Sequence, residues 1–153
     1  MYPFDDGMEP DPIVIQPLLS VLRGKKVWEP NPGPQNRIKN TLRSAGIPVD
    51  STVDLSVTPP GGFDVLVSMP PPTQLTDWLE AAYRNEWPFA LLVPVHYLVA
   101  PKRQDLFRSK GMSLILLRSA IPMLRFRGGA TPFALAWATW GLFEEQLIFY
   151  PVP

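Results

Sequence analysis

At 153 residues with 46% apolar content, the chain is long enough to bury one sizeable core and reads as a single domain. Equal numbers of basic and acidic residues give a net charge of zero, which excludes attraction to polyanions or membranes through an overall basic field. The absence of cysteine excludes disulfides and thiolate metal sites and fits a reducing, intracellular compartment.

Residues 1–12, MYPFDDGMEPDP, read as an irregular arm: acidic, with no apolar core of the kind a secretory signal needs. Residues 13–153 read as one α/β domain. Ile13 to Leu22 is a short amphipathic helix disturbed by Pro17. Lys26 to Glu29 is a strand that stops at the loop PNPGP, and Gln35 to Ala45 is a helix that ends at Gly46. Ile47 to Leu55 and Phe63 to Met69 are two further strands, the second entered through Pro59-Pro60-Gly61-Gly62. Thr73 to Glu86 is a helix with Thr73 as its N-cap and Leu75, Trp78, Leu79, Ala82 and Tyr83 on one face. Pro88 to Val95 is apolar almost throughout, the mark of a strand covered on both sides. Pro101 to Lys110 is a helix and Met112 to Leu117 a strand, and Phe133 to Trp140 with Gln146 to Tyr150 close the chain as an antiparallel pair. No apolar stretch reaches the roughly 20 residues of a membrane span.

The alternation predicts a mostly parallel sheet flanked by helices. Such sheets bind ligands outside the carboxyl ends of their strands. Two proline-rich loops sit there, PNPGP after the first strand and Met69-Pro70-Pro71-Pro72 after the third. Prolines remove donors where pairing should stop and fix a rigid loop, so the carbonyls of MPPP are expected to face outward toward a ligand.

The order VWEPNPG, helix, GIPVDSTVDL, FDVLVSMPPP, helix, PFALLVPVHYL resembles the small, often phage-encoded, S-adenosylmethionine-dependent adenine-N6 DNA methyltransferases. The resemblance spans Asp11 to Trp140, including RFRGGATPFALAWATWGL, which looks like the family's last strands and connecting loop. It rests on order and spacing, because no single motif is intact. It implies a Rossmann-like methyltransferase fold and S-adenosylmethionine as methyl donor, with a cofactor site at Glu29, Gly33, Gln35 and Asp54. Glu29 stands at the family's acidic position and Gly33 at its first loop glycine. Gln35 replaces the second glycine, and with Pro34 it crowds the cofactor's approach to the backbone. EPDP, Glu9 to Pro12, matches only the prolines of a segment that helps hold the donor.

The same resemblance places the catalytic loop at Ser68, Met69, Pro70, Pro71 and Pro72. Family members carry there an Asn or Asp that accepts from the target amine, and an aromatic ring that stacks on the flipped base. Methionine sulfur is a weak acceptor and proline has no π-face, so the loop keeps its backbone and lacks its chemistry. Losing one preorganised group typically costs about 10²–10³ in rate, and coupled losses more.

Each signal also has an ordinary reading. Glu29 caps the next helix or pairs with Lys25 or Arg37, Asp54 and Asp64 are turn acids, and His96 is a structural residue with no metal cluster around it. Trp137, Trp140, Phe133 and Phe143 read as packing. The segment Arg125-Phe126-Arg127-Gly128-Gly129 joins charge, an aromatic and flexibility, and is the candidate nucleic-acid contact.

Three functions follow from these residues. The favoured one is a catalytically degenerate methyltransferase-like module, of viral or phage association, that acts through a protein partner or a homo-oligomer. The second is an active S-adenosylmethionine-dependent methyltransferase, on nucleic acid or with its chemistry moved to another substrate, or using Ser68 as a substitute acceptor. The third is a non-catalytic nucleic-acid-binding module working through Arg125, Phe126 and Arg127. The proline arm and the terminal YPVP, Tyr150 to Pro153, offer preformed docking segments, and no membrane role is read.

Overall fold

The computed structural model describes residues 8–33, 35–51, 61–117, 121–125 and 130–150. Its main sheet has seven strands in the order β10-β6-β9-β5-β4-β2-β3. These are β2 (Val27–Trp28), β3 (Val49–Asp50), β4 (Val65–Ser68), β5 (Phe89–Pro94), β6 (Ser113–Leu117), β9 (Leu135–Trp140) and β10 (Leu147–Tyr150). Neighbours run parallel except around β9, which lies antiparallel to both β5 and β6. A separate three-stranded sheet, β1-β7-β8, joins Met8–Pro10 (β1) to Ile121–Arg125 (β7) and Ala130–Phe133 (β8). Among the described residues four α-helices connect the strands: α1 (Leu19–Leu22), α2 (Arg37–Ser44), α3 (Leu75–Arg84) and α4 (Pro101–Lys110).

The strand alternation divides the interior into two layers. Phe89, Leu91 and Val93 of β5 face one side with Trp28, Leu66 and the α3 residues Leu75, Trp78, Leu79, Ala82 and Tyr83. Ala90 and Leu92 face the other with Val27, Val65, Val67 and Trp137, beneath Val14, Ile15, Leu18, Leu22, Ile38 and Leu42. Every residue of β5 is buried, which explains why its sequence is continuously apolar rather than alternating. The sheet is therefore covered on both faces, as the chain order requires.

Local chemistry fixes the element ends. At the end of α2, Gly46 adopts φ +82°, and the N–H groups of Gly46 and Ile47 bond back to the carbonyls of Arg43 and Leu42. That closure needs a left-handed residue just past the helix, which glycine supplies without strain. Pro17 sits inside a 3-10 helix, Pro12–Leu18, that precedes the single turn of α1. The indole N–H of buried Trp137 donates to the carbonyl of Val14 at 2.7 Å and pins this first helical segment to β9.

Several expectations change. The arm over residues 1–12 is not irregular throughout: Met8–Pro10 is a strand whose Glu9 lies opposite Leu124. Thr73 is not an N-cap, because Pro72 opens a 3-10 turn (Pro72–Gln74) and α3 starts only after Gln74. Gln146 to Tyr150 does not pair with Phe133 to Trp140. Instead β10 lies parallel to β6, with Leu147 opposite Leu114 and Tyr150 opposite Leu117, and β9 supplies the antiparallel element from inside the sheet.

Candidate functional site

The chain leaves β2, crosses through α2 to β3 on one side, and returns to β4 on the other side of β2. The gap between the loops that follow β2 and β4 is thus the point where the strand order reverses, the position at which open α/β sheets bind ligands. Glu29, Asn31 and Gly33 come from the first loop, and Met69 to Pro72 from the second, just past Ser68 at the end of β4.

Side chains of the protein itself cross this gap. Glu29 is completely buried, and its Oε1 accepts from the backbone N–H of Asn31 at 2.7 Å and from the Ser68 hydroxyl. Asn31 in turn donates through Nδ2 to the carbonyl of Met69 at 2.8 Å. The two loops are therefore sewn together at two places. The second Glu29 oxygen, Oε2, is buried with no hydrogen-bond partner among the described residues. Burial pushes the Glu29 carboxyl up to about 8; the bonds from Ser68 and Asn31 oppose this, the nearby Glu9 carboxylate adds to it, and Lys39 opposes it. At neutral pH Glu29 is mostly a neutral acid.

The turn before α2 is filled from the small sheet. Glu9 of β1 is 4% exposed, and its carboxylate accepts from the backbone N–H of Gln35 at 2.7 Å and of Arg37 at 3.0 Å. It lies directly over Gly33, which has φ +76°. A Cβ added to that glycine would stand 2.6 Å from Glu9 Oε1 and 2.7 Å from its Cδ. Gly33 is required here twice over, by its left-handed backbone and by the acid pressed against it. The Gln35 side chain accepts from the Arg37 guanidinium.

The residues read from the sequence separate accordingly. Glu29, Gly33, Gln35 and Ser68 meet at the switch point, with Ser68 buried and engaged to Glu29. The MPPP carbonyls do not all face outward as expected: that of Met69 is taken by Asn31, that of Pro71 by the Gln74 N–H at 2.9 Å, and that of Pro72 by Leu75. Pro70 is buried and Met69 packs against the core. Asp54, Phe126 and Arg127 lie outside the described residues, and Arg125 ends β7. Neither Lys25 nor Arg37 makes an ion pair with Glu29 among the described residues. Asp64 accepts from the Lys26 N–H at 2.8 Å, as a turn acid does. His96 is exposed and lies 4.5 Å from the Tyr97 ring, and no group of His, Asp or Glu suited to a metal occurs among the described residues. Trp137 is core, and Trp140 stacks on Phe89 and donates to the Lys110 carbonyl at 3.2 Å. Glu9 and Asn31 were not singled out from the sequence. The sequence signal for Glu9 is its place in EPDP, within the N-terminal arm over residues 1–12.

No protein-family model matches the chain, and no curated protein matches it. Among solved structures, a chain from Listeria monocytogenes assigned to the class I S-adenosylmethionine-dependent methyltransferases aligns over 92% of this protein with a TM-score of 0.52 and 11% identity. The chain has a Rossmann-like methyltransferase fold. It spans 63% of the length of that methyltransferase chain. A precorrin-6y C5,15-methyltransferase from Geobacter metallireducens GS-15 aligns over 83% of this protein and 87% of its own chain, at 13% identity and a TM-score of 0.45. At 11% identity the likeness to the Listeria chain concerns the fold alone. No helix among the described residues is long and apolar enough to cross a membrane.

Proposed function

We propose that this protein is a methyltransferase-fold module without methyltransferase activity, working by contact with another protein chain. The observation that carries the reading is the internal filling of the switch point. Glu9 covers Gly33, Glu29 is turned inward to Ser68, and Asn31 spans to Met69. The glycine face and the strand-end acid that S-adenosylmethionine would need are both engaged by the chain itself, which supports a site closed to it. The MPPP loop supports the same reading from the acceptor side, since it offers neither a strong side-chain acceptor nor a stacking ring. The finer relationship, to a degenerate adenine-N6 methyltransferase of phage type, rests on motif order alone.

A contact role is supported by the edge strand β10, where Phe149 is 74% and Leu147 49% exposed on one face. The test is isothermal titration of the full chain with S-adenosylmethionine and S-adenosylhomocysteine, together with sedimentation of the wild type and Phe149→Ser. The expected result is no heat from either ligand, and association with itself or with a copurifying chain that Phe149→Ser weakens. Micromolar binding of S-adenosylmethionine by the wild type, with methyl transfer to DNA, RNA or protein, would overturn the reading.

A further inference from the structure

We propose that Glu9 is an internal plug of the turn between β2 and α2, so that the closed site is an occluded nucleoside-type site rather than one that has been lost. The inference rests on the closed-site reading above and assigns the closure to one side chain.

Four observations converge on Glu9. Its position is the first, because it fills the turn at the topological switch point, where sheets of this architecture hold nucleotides and related ligands. Its contacts are the second: both carboxylate oxygens bond backbone N–H groups at the start of α2, at 2.7 and 3.0 Å, the way an anionic group of a ligand is held at such a turn. The third is steric. The Glu9 carboxylate lies where even a methyl group on Gly33 would collide, so the open glycine face that admits a ligand elsewhere is here in contact with protein. The fourth is that the acid arrives from outside the seven-stranded sheet. Its strand has three residues, lies at one edge of the small sheet, and among the described residues is paired only with β7. An edge strand that short can leave without unfolding the main core.

A purely structural helix cap would give the same contacts, so the test reads ligand binding as well as stability. Wild type, Glu9→Ala and Glu9→Gln, all as full chains, are titrated calorimetrically with S-adenosylhomocysteine, and folding is checked by near-ultraviolet circular dichroism. If Glu9 is the plug, Glu9→Ala binds at least about tenfold more tightly than the wild type, and Glu9→Gln, which keeps the volume but loses the charge and one acceptor, gains less. A folded Glu9→Ala that binds no better than the wild type overturns the proposal, as does a helix start that merely frays with no gain in binding. If Glu9→Ala does not fold, Glu9→Gln decides the matter, and no gain there overturns the proposal. The two readings fail separately. Silent wild type and silent variants leave the closed site standing and remove Glu9 as its cause. A wild type that binds at micromolar concentration removes the closed site, and it removes the plug as well unless Glu9→Ala binds tighter still.

Discussion

Replacing Glu29 by glutamine should remove the Glu29-linked loss of this domain's stability as the pH rises from about 4.5 to about 8. Glu29 is fully buried, and burial lifts its carboxyl from the ordinary 4.5 to about 8 despite the hydrogen bonds from Ser68 and Asn31. In the unfolded chain the same group ionises at its ordinary value. Between those two values the folded state holds a proton that the unfolded state has released. The contribution is therefore complete below about 4.5 and disappears as the pH rises through about 8. At about 1.4 kcal/mol per pH unit, the loss assigned to Glu29 has a ceiling on the order of 4–5 kcal/mol, a large part of the roughly 5–15 kcal/mol that holds a domain together. Glutamine keeps the shape and the acceptor for Asn31 and Ser68, but has no charge to bury. Urea unfolding of both proteins at about pH 5, 7 and 9 measures the difference directly, because every other titrating group is common to the two. Near pH 5 the two proteins should be close in stability, and near pH 9 Glu29→Gln should be more stable by several kcal/mol. A stability difference that stays constant over that range would refute the account of Glu29 as a buried, proton-holding acid.

Ser68→Ala removes the hydroxyl that bonds Glu29, and should cost about 1–3 kcal/mol. Because that bond holds the Glu29 value down, its loss should also extend the Glu29-linked loss of stability above about pH 8, which the same urea series would detect. Gly33→Ala should destabilise by about 1–2 kcal/mol from its left-handed backbone alone, and further by pushing out Glu9. In a double-mutant cycle with Glu9→Ala, the second cost should vanish and appear as a coupling of about 0.5–3 kcal/mol; strict additivity would show that the two residues do not collide. Trp137→Phe leaves the buried Val14 carbonyl without its donor and should cost about 1–3 kcal/mol before any cavity, read from the thermal midpoint.

The parts of this fold that could be read from the sequence are those set by short-range chemistry. The five residues buried on α3 are the five that its helical period selects, and α4 begins on Pro101 and stops at Lys110, before Gly111, where the composition says it should. The unbroken apolar run of β5 announces a strand covered on both sides. What escaped are pairings between distant segments. Nothing within Gln146 to Tyr150 distinguishes a parallel partner in β6 from an antiparallel one in β9, because the choice lies in pairing with a distant strand and not in the segment's own residues. Three residues of β1 carry no pattern long enough to register as a strand, and their pairing is fixed by β7 near the other end of the chain. The site shows the same division. Strand ends located Glu29, Gly33 and Ser68, but the hydrogen bonds that turn Glu29 inward and the acid that covers Gly33 depend on where separate loops meet. Thr73 failed as a cap for a local reason, since the proline before it had already begun a tighter turn.

The place of β9 has a consequence for how the chain is made. Ribosomes deliver β6 before β9, yet in the finished sheet β9 separates β6 from β5. A nascent chain that has emerged only through Leu117 therefore holds β5, wholly buried at the end, with one edge open, and β6 without its eventual neighbour. Pairing β6 directly with β5 at that stage would be a register trap that the later strand must displace. Glu9 waits as well, because β7, the strand that holds β1 in place, emerges after β6. The turn it covers is thus formed early and closed late, and for part of its synthesis the chain carries an uncovered Gly33.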